Sequence, residues 1–346
     1  MTIEPGSDAE RVVDDLVEAV LGSTRRWRRD EVVRRSGVPL EEARSLWRAL
    51  GFADVGDVVA FTDEDVESLT LLSRLLEHDV VDRATSLEVA RSLGQTTSRL
   101  ADWQVDAFGR LLTERGVIDA ADPLSQESVA RLFRSLEALL PVLERLLVHA
   151  WRRQLAAAVE RSLGDLEATA GGEDAGRLTV GFADQVGFTR LARHLEETEL
   201  AHLVERFETR AADVVARCGG RLIKTLGDEV LFVAPEAAAA AEIAMRMLEA
   251  QHPSEPTLRI GLATGVVVTR RGDVFGTTVN LASRLTSEAA PGAVLVDEPT
   301  ADLVRDDPAY RLDRLAPRTL RGLGSVSPVE LHRGARAASV EDDPFD

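Results

Sequence analysis

The feature that most constrains this chain is a change of hydrophobic period near residue 176. Up to about residue 166 the apolar residues recur at three- and four-residue intervals, as in "ESLTLLSRLLEHDVVDRATSLEVARSLG" and "SRLADWQVDAFGRLLTERGV". That spacing lines one face of a helix. From residue 177 onward, short β-rich runs alternate with amphipathic helical stretches: "RLTVGFAD" (177–184), "ETELAHLVERFETRAADVVARC" (197–218), "RLIKTL" and "EVLFVA" around a Gly-Asp turn. These are followed by "PEAAAAAEIAMRMLEAQ" (235–251), "TLRIGLATGVVVT" (257–269), "TTVNLASRLTSEA" (277–289) and "GAVLVD" (292–297). In order this reads β-α-β-β-α-β-α-β, the split βαβ pattern of a ferredoxin-like sheet. The expectation is an all-α N-terminal domain joined to an α+β C-terminal domain.

Between the two, "ATAGGEDAG" (168–176) is small, polar and Gly-rich, the composition of a linker. The expected division is residues 1–165, a linker at 166–176, a mixed domain at 177–333 and an acidic tail at 334–346. An amphipathic segment at 136–166 leads toward the first strand of the second domain. No apolar run reaches the ~20 residues that span a bilayer; "LEALLPVLERLLVHAW" is interrupted by Pro141, Glu144 and Arg145. The first residues lack a signal peptide's basic and apolar regions. One cysteine, Cys218, leaves no intrachain disulfide and suits a reducing, cytoplasmic setting. The net charge of −18 argues against broad attraction to nucleic acid or anionic lipid.

Lys224 is the only lysine in a chain with 41 lysines and arginines. It stands four residues before Asp228 in "KTLGDEV". Asp184 closes the first strand in "GFADQVGFT", and in a split βαβ sheet that strand lies beside the hairpin carrying Asp228, so the two carboxylates converge. Each alone is as readily an ordinary turn residue. Together, two hard oxygen ligands suit Mg²⁺ or Mn²⁺ with a polyphosphate. In "GDVFGTTVNLASRL", Asn280 and Arg284 share one helix face, and Asp273 precedes that helix through a loop at Gly276.

Taken in order, "FADQVGFT", "KTLGDEVLF" and "DVFGTTVNLASR" resemble the motifs of the class III nucleotidyl cyclases of the adenylyl type, over about residues 177–333. The resemblance implies the cyclase fold and formation of cyclic AMP from ATP. It implies that Asp184 and Asp228 hold two metal ions, Mg²⁺ or Mn²⁺. Lys224 and Asp273 would read the purine, Asn280 would orient the ribose, and Arg284 would stabilise the pentavalent phosphorus. It further implies a homodimer with two sites at the subunit interface, the metal aspartates coming from one subunit and the other four residues from its partner. Arg321, in "TLRGLG", stands where the family often has a lysine touching the terminal phosphates.

An adenine edge offers an amino donor and a ring-nitrogen acceptor, which an ammonium and a carboxylate complement; guanine reverses that pattern. Lysine is a compact point donor on a flexible stem, whereas arginine is a planar fork. That difference gives a reason for one lysine at this position.

In the first half, "RRWRRDEVVRRSGVPLEEARSLWRALGF" resembles a helix-turn-helix of the MerR type, extending over about 25–75. Residues 25–48 hold eight arginines against four acids, Asp30, Glu31, Glu41 and Glu42, yet residues 1–165 carry 30 acids and 21 arginines. A helical regulatory module, resembling those of some actinobacterial-type cyclases, is preferred to a DNA-binding one. Its effector is expected to be a proton, with His78 and His149 as titrating groups, or a small apolar ligand. Two rival readings are a GTP-using cyclase, including a diguanylate cyclase suggested by "LGDEV", and a regulator with a non-catalytic nucleotide-sensing domain. The second loses ground because all six motif positions are filled.

Overall fold

The structure is a computed structural model that describes residues 8–78, 80–118, 125–170, 176–252, 255–270 and 272–334. The greater part of the Gly-rich linker and the acidic tail after Gly334 lie outside these residues. By internal compactness the chain divides into Met1–Ala157 and Ala158–Asp346.

The first unit is helical. It runs α1 (Asp8–Leu21), α2 (Arg29–Ser36), α3 (Leu40–Leu50), α4 (Asp63–Glu77) and α5 (Arg83–Glu114), then enters α6 (Gln126–Ala170), inside which the division falls. Gly37 and Gly51 close α2 and α3 with φ of 73° and 82°, a left-handed cap that glycine adopts without steric cost. The stretch over about 25–75 thus folds as α2, α3 and α4, with glycines ending the first two helices. Its core gathers Val32, Val38, Ala43, Leu46, Trp47, Leu69 and Ala90, with the Trp47 and Phe61 rings 4.9 Å apart. Among the described residues no helix is long and apolar enough to cross a membrane.

The second unit is built on a seven-stranded sheet ordered β2-β3-β1-β4-β7-β11-β8. Its first half follows the predicted pattern. β1 (Arg177–Gln185) leads through the short α7 (Phe188–Leu191) and long α8 (Glu197–Arg217) to the hairpin β2 (Arg221–Leu226) and β3 (Glu229–Ala234), then α9 (Ala237–Glu249) and β4 (Leu258–Val266). β1 lies between β3 and β4, antiparallel to both, as a split βαβ core requires.

The single strand expected over 257–269 is instead two. β4 ends at Val266, and β5 (Val268–Arg270) pairs with β6 (Asp273–Phe275) in a separate ribbon. After α10 (Thr277–Glu288) and β7 (Val294–Val296), the fold continues beyond the expected closing strand. α11 (Glu298–Val304), β8 (Tyr310–Arg314), β9 (Arg318–Leu320), β10 (Gly324–Val326) and β11 (Val329–Arg333) follow, with β11 and β8 extending the sheet.

Alternation along the strands makes two cores. Ala183, Phe232, Ile260 and Leu262 face α8 and α9; Val180, Phe182, Leu231 and Ala263 face α10. The candidate residues belong to the α10 face or its rim.

Candidate functional site

On β1 the α10 face takes Val180, Phe182 and then Asp184, so strand alternation puts the carboxylate at the end of an apolar row. Register places Glu229 of β3 and Arg259 of β4 opposite it on either side. Arg259 Nε and Nη2 donate to Asp184 Oδ2 at 2.6 and 2.5 Å, and Nη1 donates to the Ser287 carbonyl of α10 at 3.1 Å. Asp228 occupies the two-residue turn between β2 and β3, where Gly227 supplies a φ of 72°. Its carbonyl accepts the Gln185 N–H at 3.0 Å, which ties the turn to the residue after Asp184.

Three carboxylates therefore share one end of the sheet. Burial pushes the Asp228 carboxyl above its usual range, and the Asp184 charge adds to the shift. Burial, then Asp184 and Asp228, raise Glu229 in the same way. The Arg259 guanidinium relieves part of this repulsion; a divalent cation would relieve more, and Asp184 and Asp228 offer it hard oxygen donors. Among the described residues no third acidic, His or Cys side chain completes a metal cluster, so the remaining ligands would be water and substrate oxygens. The residues fit such an ion on these terms.

Lys224 reaches its position through a β-bulge. Leu222 pairs with Phe232 and Lys224 with Leu231, adjacent residues on β3, so Ile223 is an extra residue in the strand. Without it Lys224 would share the α8–α9 face with Leu222; with it the side chain turns to the α10 face, where β6 lies. There Lys224 Nζ donates to Asp273 Oδ2 at 2.6 Å, while Asp273 Oδ1 accepts the Val274 N–H at 2.8 Å. Burial works against the charge on Asp273, but the Lys224 ammonium and the Val274 N–H outweigh it and hold the carboxyl below its ordinary value.

α10 turns Thr278, Ala282, Leu285 and Thr286 to the sheet and leaves Asn280 and Arg284 exposed on the opposite side. The apolar neighbours that bracket Asn280 in sequence thus do not enclose it. Among the described residues neither Asn280 nor Arg284 has a side-chain partner. Arg321 is exposed on the turn between β9 and β10, a ribbon outside the main sheet.

The structure therefore brings Asp184 together with Asp228, and Lys224 with Asp273. Asn280, Arg284 and Arg321 are exposed, without a side-chain partner among the described residues. Arg259 and Glu229 were missed in the sequence. The available signal was a charged residue in phase with the α10 face inside otherwise apolar strands, "LRIGL" and "EVLF".

The adenylate and guanylate cyclase catalytic domain family matches residues 172–332. An adenylate cyclase of Streptomyces coelicolor is 45% identical, over 95% of this chain and 93% of its own length. One from Streptomyces griseus is 48% identical, over 88% and 74%. A third, from Glutamicibacter nicotianae, is 38% identical over 95% and 84%. The chain belongs to the class III cyclase family. Among solved structures, the adenylyl cyclase CyaB from P. aeruginosa is 24% identical, covering 47% of this chain and 97% of that one with a TM-score of 0.42.

This cyclase carries its arginine-rich helix-turn-helix as a largely self-neutralised surface. Arg25, Arg26, Arg28, Arg29, Arg34 and Arg44 each lie within 4.0 Å of a carboxylate. Arg35 stacks on Trp27 at 3.6 Å from the ring centre. The same helical unit holds an open cavity of about 680 Å³ whose lining includes Trp47, Phe52, Phe61, Arg29, Arg44 and Arg48. His78 and His149 are both exposed.

Proposed function

We propose that this cyclase converts ATP to 3′,5′-cyclic AMP and pyrophosphate at two sites formed between two copies of the chain. The observation that carries the substrate is the Lys224–Asp273 pair. An ammonium donates to adenine N1 and a carboxylate accepts from the N6 amino group, the pattern an adenine edge requires. The Val274 N–H and Lys224 orient that carboxylate before any nucleotide arrives.

The reaction is internal phosphoryl transfer. The ribose 3′-oxygen forms a bond to the α-phosphorus, the bond to the pyrophosphate oxygen breaks, and the 3′-hydroxyl proton passes to solvent water. Such a reaction needs in-line placement and charge stabilisation rather than a covalent intermediate. Asn280 orients the ribose, and the Arg284 guanidinium faces the oxygens that gain charge at phosphorus. Asp184 and Asp228 would hold two ions, Mg²⁺ or Mn²⁺, which would supply the positive charge that activates the 3′-oxygen and stabilises the leaving oxygen. Arg321 supplies a cation for the terminal phosphates, in place of the lysine common in the family.

A second copy is invoked because Asn280 and Arg284 are exposed on α10, and the same unit also exposes Leu226, Val266, Val268 and Phe275, each at least half accessible. The test is complementation. Asp228→Ala and Arg284→Ala chains, each inactive alone, should regain activity on mixing, because half of the sites in a mixed dimer carry neither change. No recovery in mixed dimers would place all residues of a site in one chain.

The helical unit is proposed to regulate this activity. A relative from Mycobacterium tuberculosis strain CDC 1551, 31% identical over 90% of this chain, is named a pH-sensitive adenylate cyclase. A proton is therefore the first candidate effector, and a small ligand in the Trp47–Phe61 cavity the second. Activity of the full chain that stays flat from about pH 5.5 to 8 would remove the proton. DNA is disfavoured, since the paired arginines would have to exchange carboxylates for phosphates.

A further inference from the structure

Asn280 and Arg284 act from a helix, so the depth and rotation of α10 over the sheet decide where they stand. β4 offers α10 a strip of Gly261, Ala263 and Gly265. A Cβ on Gly261 would lie 2.3 Å from the Thr286 nitrogen and 2.5 Å from the Ala282 carbonyl oxygen. A Cβ on Gly265 would lie 2.6 Å from Thr278 Oγ1. The helix thus rests on bare backbone at two points four strand residues, about 13 Å, apart.

Two buried hydroxyls meet those points. Thr278 Oγ1 donates to the Val266 carbonyl at 3.0 Å. Thr286 Oγ1 donates to the Ala282 carbonyl at 2.9 Å and lies 3.4 Å from the carbonyl of Phe182, two residues before Asp184. The two threonines are 8% and 1% exposed. A hydrogen bond from α10 to a carbonyl of another element limits sliding and rolling; Thr278 makes one to Val266, and Thr286 makes a longer one to Phe182 when its single proton is not given to Ala282 within α10. Thr278 stands two residues before Asn280, and Thr286 two residues after Arg284, so the anchors bracket the pair.

We propose that Thr278 and Thr286 are positioning residues that fix Asn280 and Arg284 relative to the Lys224–Asp273 pair. They touch no substrate and act through the seating of α10 on Gly265 and Gly261. The inference rests on the cyclase reading of the site. Its expected signature is a loss in kcat rather than in KM, because nucleotide binding uses Lys224 and Asp273, which these hydroxyls do not hold.

The experiment uses the full chain with Thr278→Val, Thr286→Val and the matching Thr→Ser variants. Cyclic AMP formation gives kcat and KM for ATP, and thermal melting reports folding. The valine variants should lose about 10- to 100-fold in kcat with KM nearly unchanged, since small misplacements are costly in oriented reactions. The serine variants should restore most of it. Should a valine variant not fold, the alanine variant, which only deletes atoms, gives the same readout. A kcat near that of the unaltered chain, or a loss that serine does not restore, overturns the positioning role and leaves the cyclase reading standing. An unaltered chain that folds and makes no cyclic AMP overturns both.

Discussion

Lys224 and Asp273 are 49 positions apart in the sequence and 2.6 Å apart in the folded chain. The bulge at Ile223 and the β5–β6 ribbon together make that contact. Replacing the ammonium by a planar fork at Lys224→Arg keeps the charge but changes its shape. The variant should lose about 10- to 100-fold in kcat/KM for ATP, the range of a mispaired, partly buried charge partner. It should gain no use of GTP. Steady-state kinetics with both nucleotides checks this, and an arginine variant as fast as the unaltered chain would contradict the purine-reading role.

The carboxylate end of the sheet makes a separate prediction. Asp184→Ala or Asp228→Ala should lower kcat by about 10²–10³, the cost of removing one group that stabilises transition-state charge. Chelation should abolish activity, and added Mn²⁺ or Mg²⁺ should restore it in the unaltered chain only. Because Asp184 also receives Arg259, melting should accompany the assay, so that loss of the ion pair is separated from loss of the ligand.

Glu242 of α9 predicts a pH dependence. It accepts Arg333 Nη1 at 2.5 Å, Arg246 Nε at 2.6 Å and the Tyr310 hydroxyl at 3.1 Å, tying α9 to β8 and β11. Burial opposes its charge, but Arg333 and Arg246 outweigh that and bring its pKa down from 4.5 to about 2. The folded value is the lower one, so the stabilisation is complete above pH 4.5 and disappears as pH falls toward 2. Glu242→Gln should cost about 2 kcal/mol at pH 7, as hydrogen bonds to charged groups do. Urea unfolding of both chains should show the gap narrowing between these limits; a gap constant with pH would contradict the account.

In the helical unit, Gly94 of α5 is a packing requirement. A Cβ there would lie 2.3 Å from the Leu50 carbonyl oxygen at the end of α3, a backbone atom that no rotamer change can move. Gly94→Ala should destabilise this unit by about 1–3 kcal/mol despite its better helix propensity. Thermal melting followed by tryptophan fluorescence reports it, since all four tryptophans lie in the first 151 residues.

Much of this was legible because it is periodic. The change of spacing at residue 177 marked the mixed fold, and "FADQVGFT", "KTLGDEVLF" and "DVFGTTVNLASR" marked the motif residues. What was not legible depends on register and on long-range pairing. Nothing in "RLIKTL" announces that Ile223 is an extra residue, although this decides which face Lys224 occupies. Arg259 reads as one charge in a strand until register sets it opposite Asp184. The split of 257–269 into β4 and β5 was hidden because "TGVVVT" continues the β-rich pattern through the break at Val267. The strands after β7 were missed because β8 to β10 carry few apolar residues.

The central claim is the substrate and the product. The purified full chain, incubated with ATP or with GTP in the presence of Mn²⁺, should release cyclic AMP and pyrophosphate from ATP and no cyclic nucleotide from GTP. The same chain bearing Asp228→Ala should release both about 10²–10³-fold more slowly. Cyclic GMP as the main product would contradict the reading of Lys224 and Asp273, and no cyclic nucleotide from a folded, dimeric chain would contradict the enzyme.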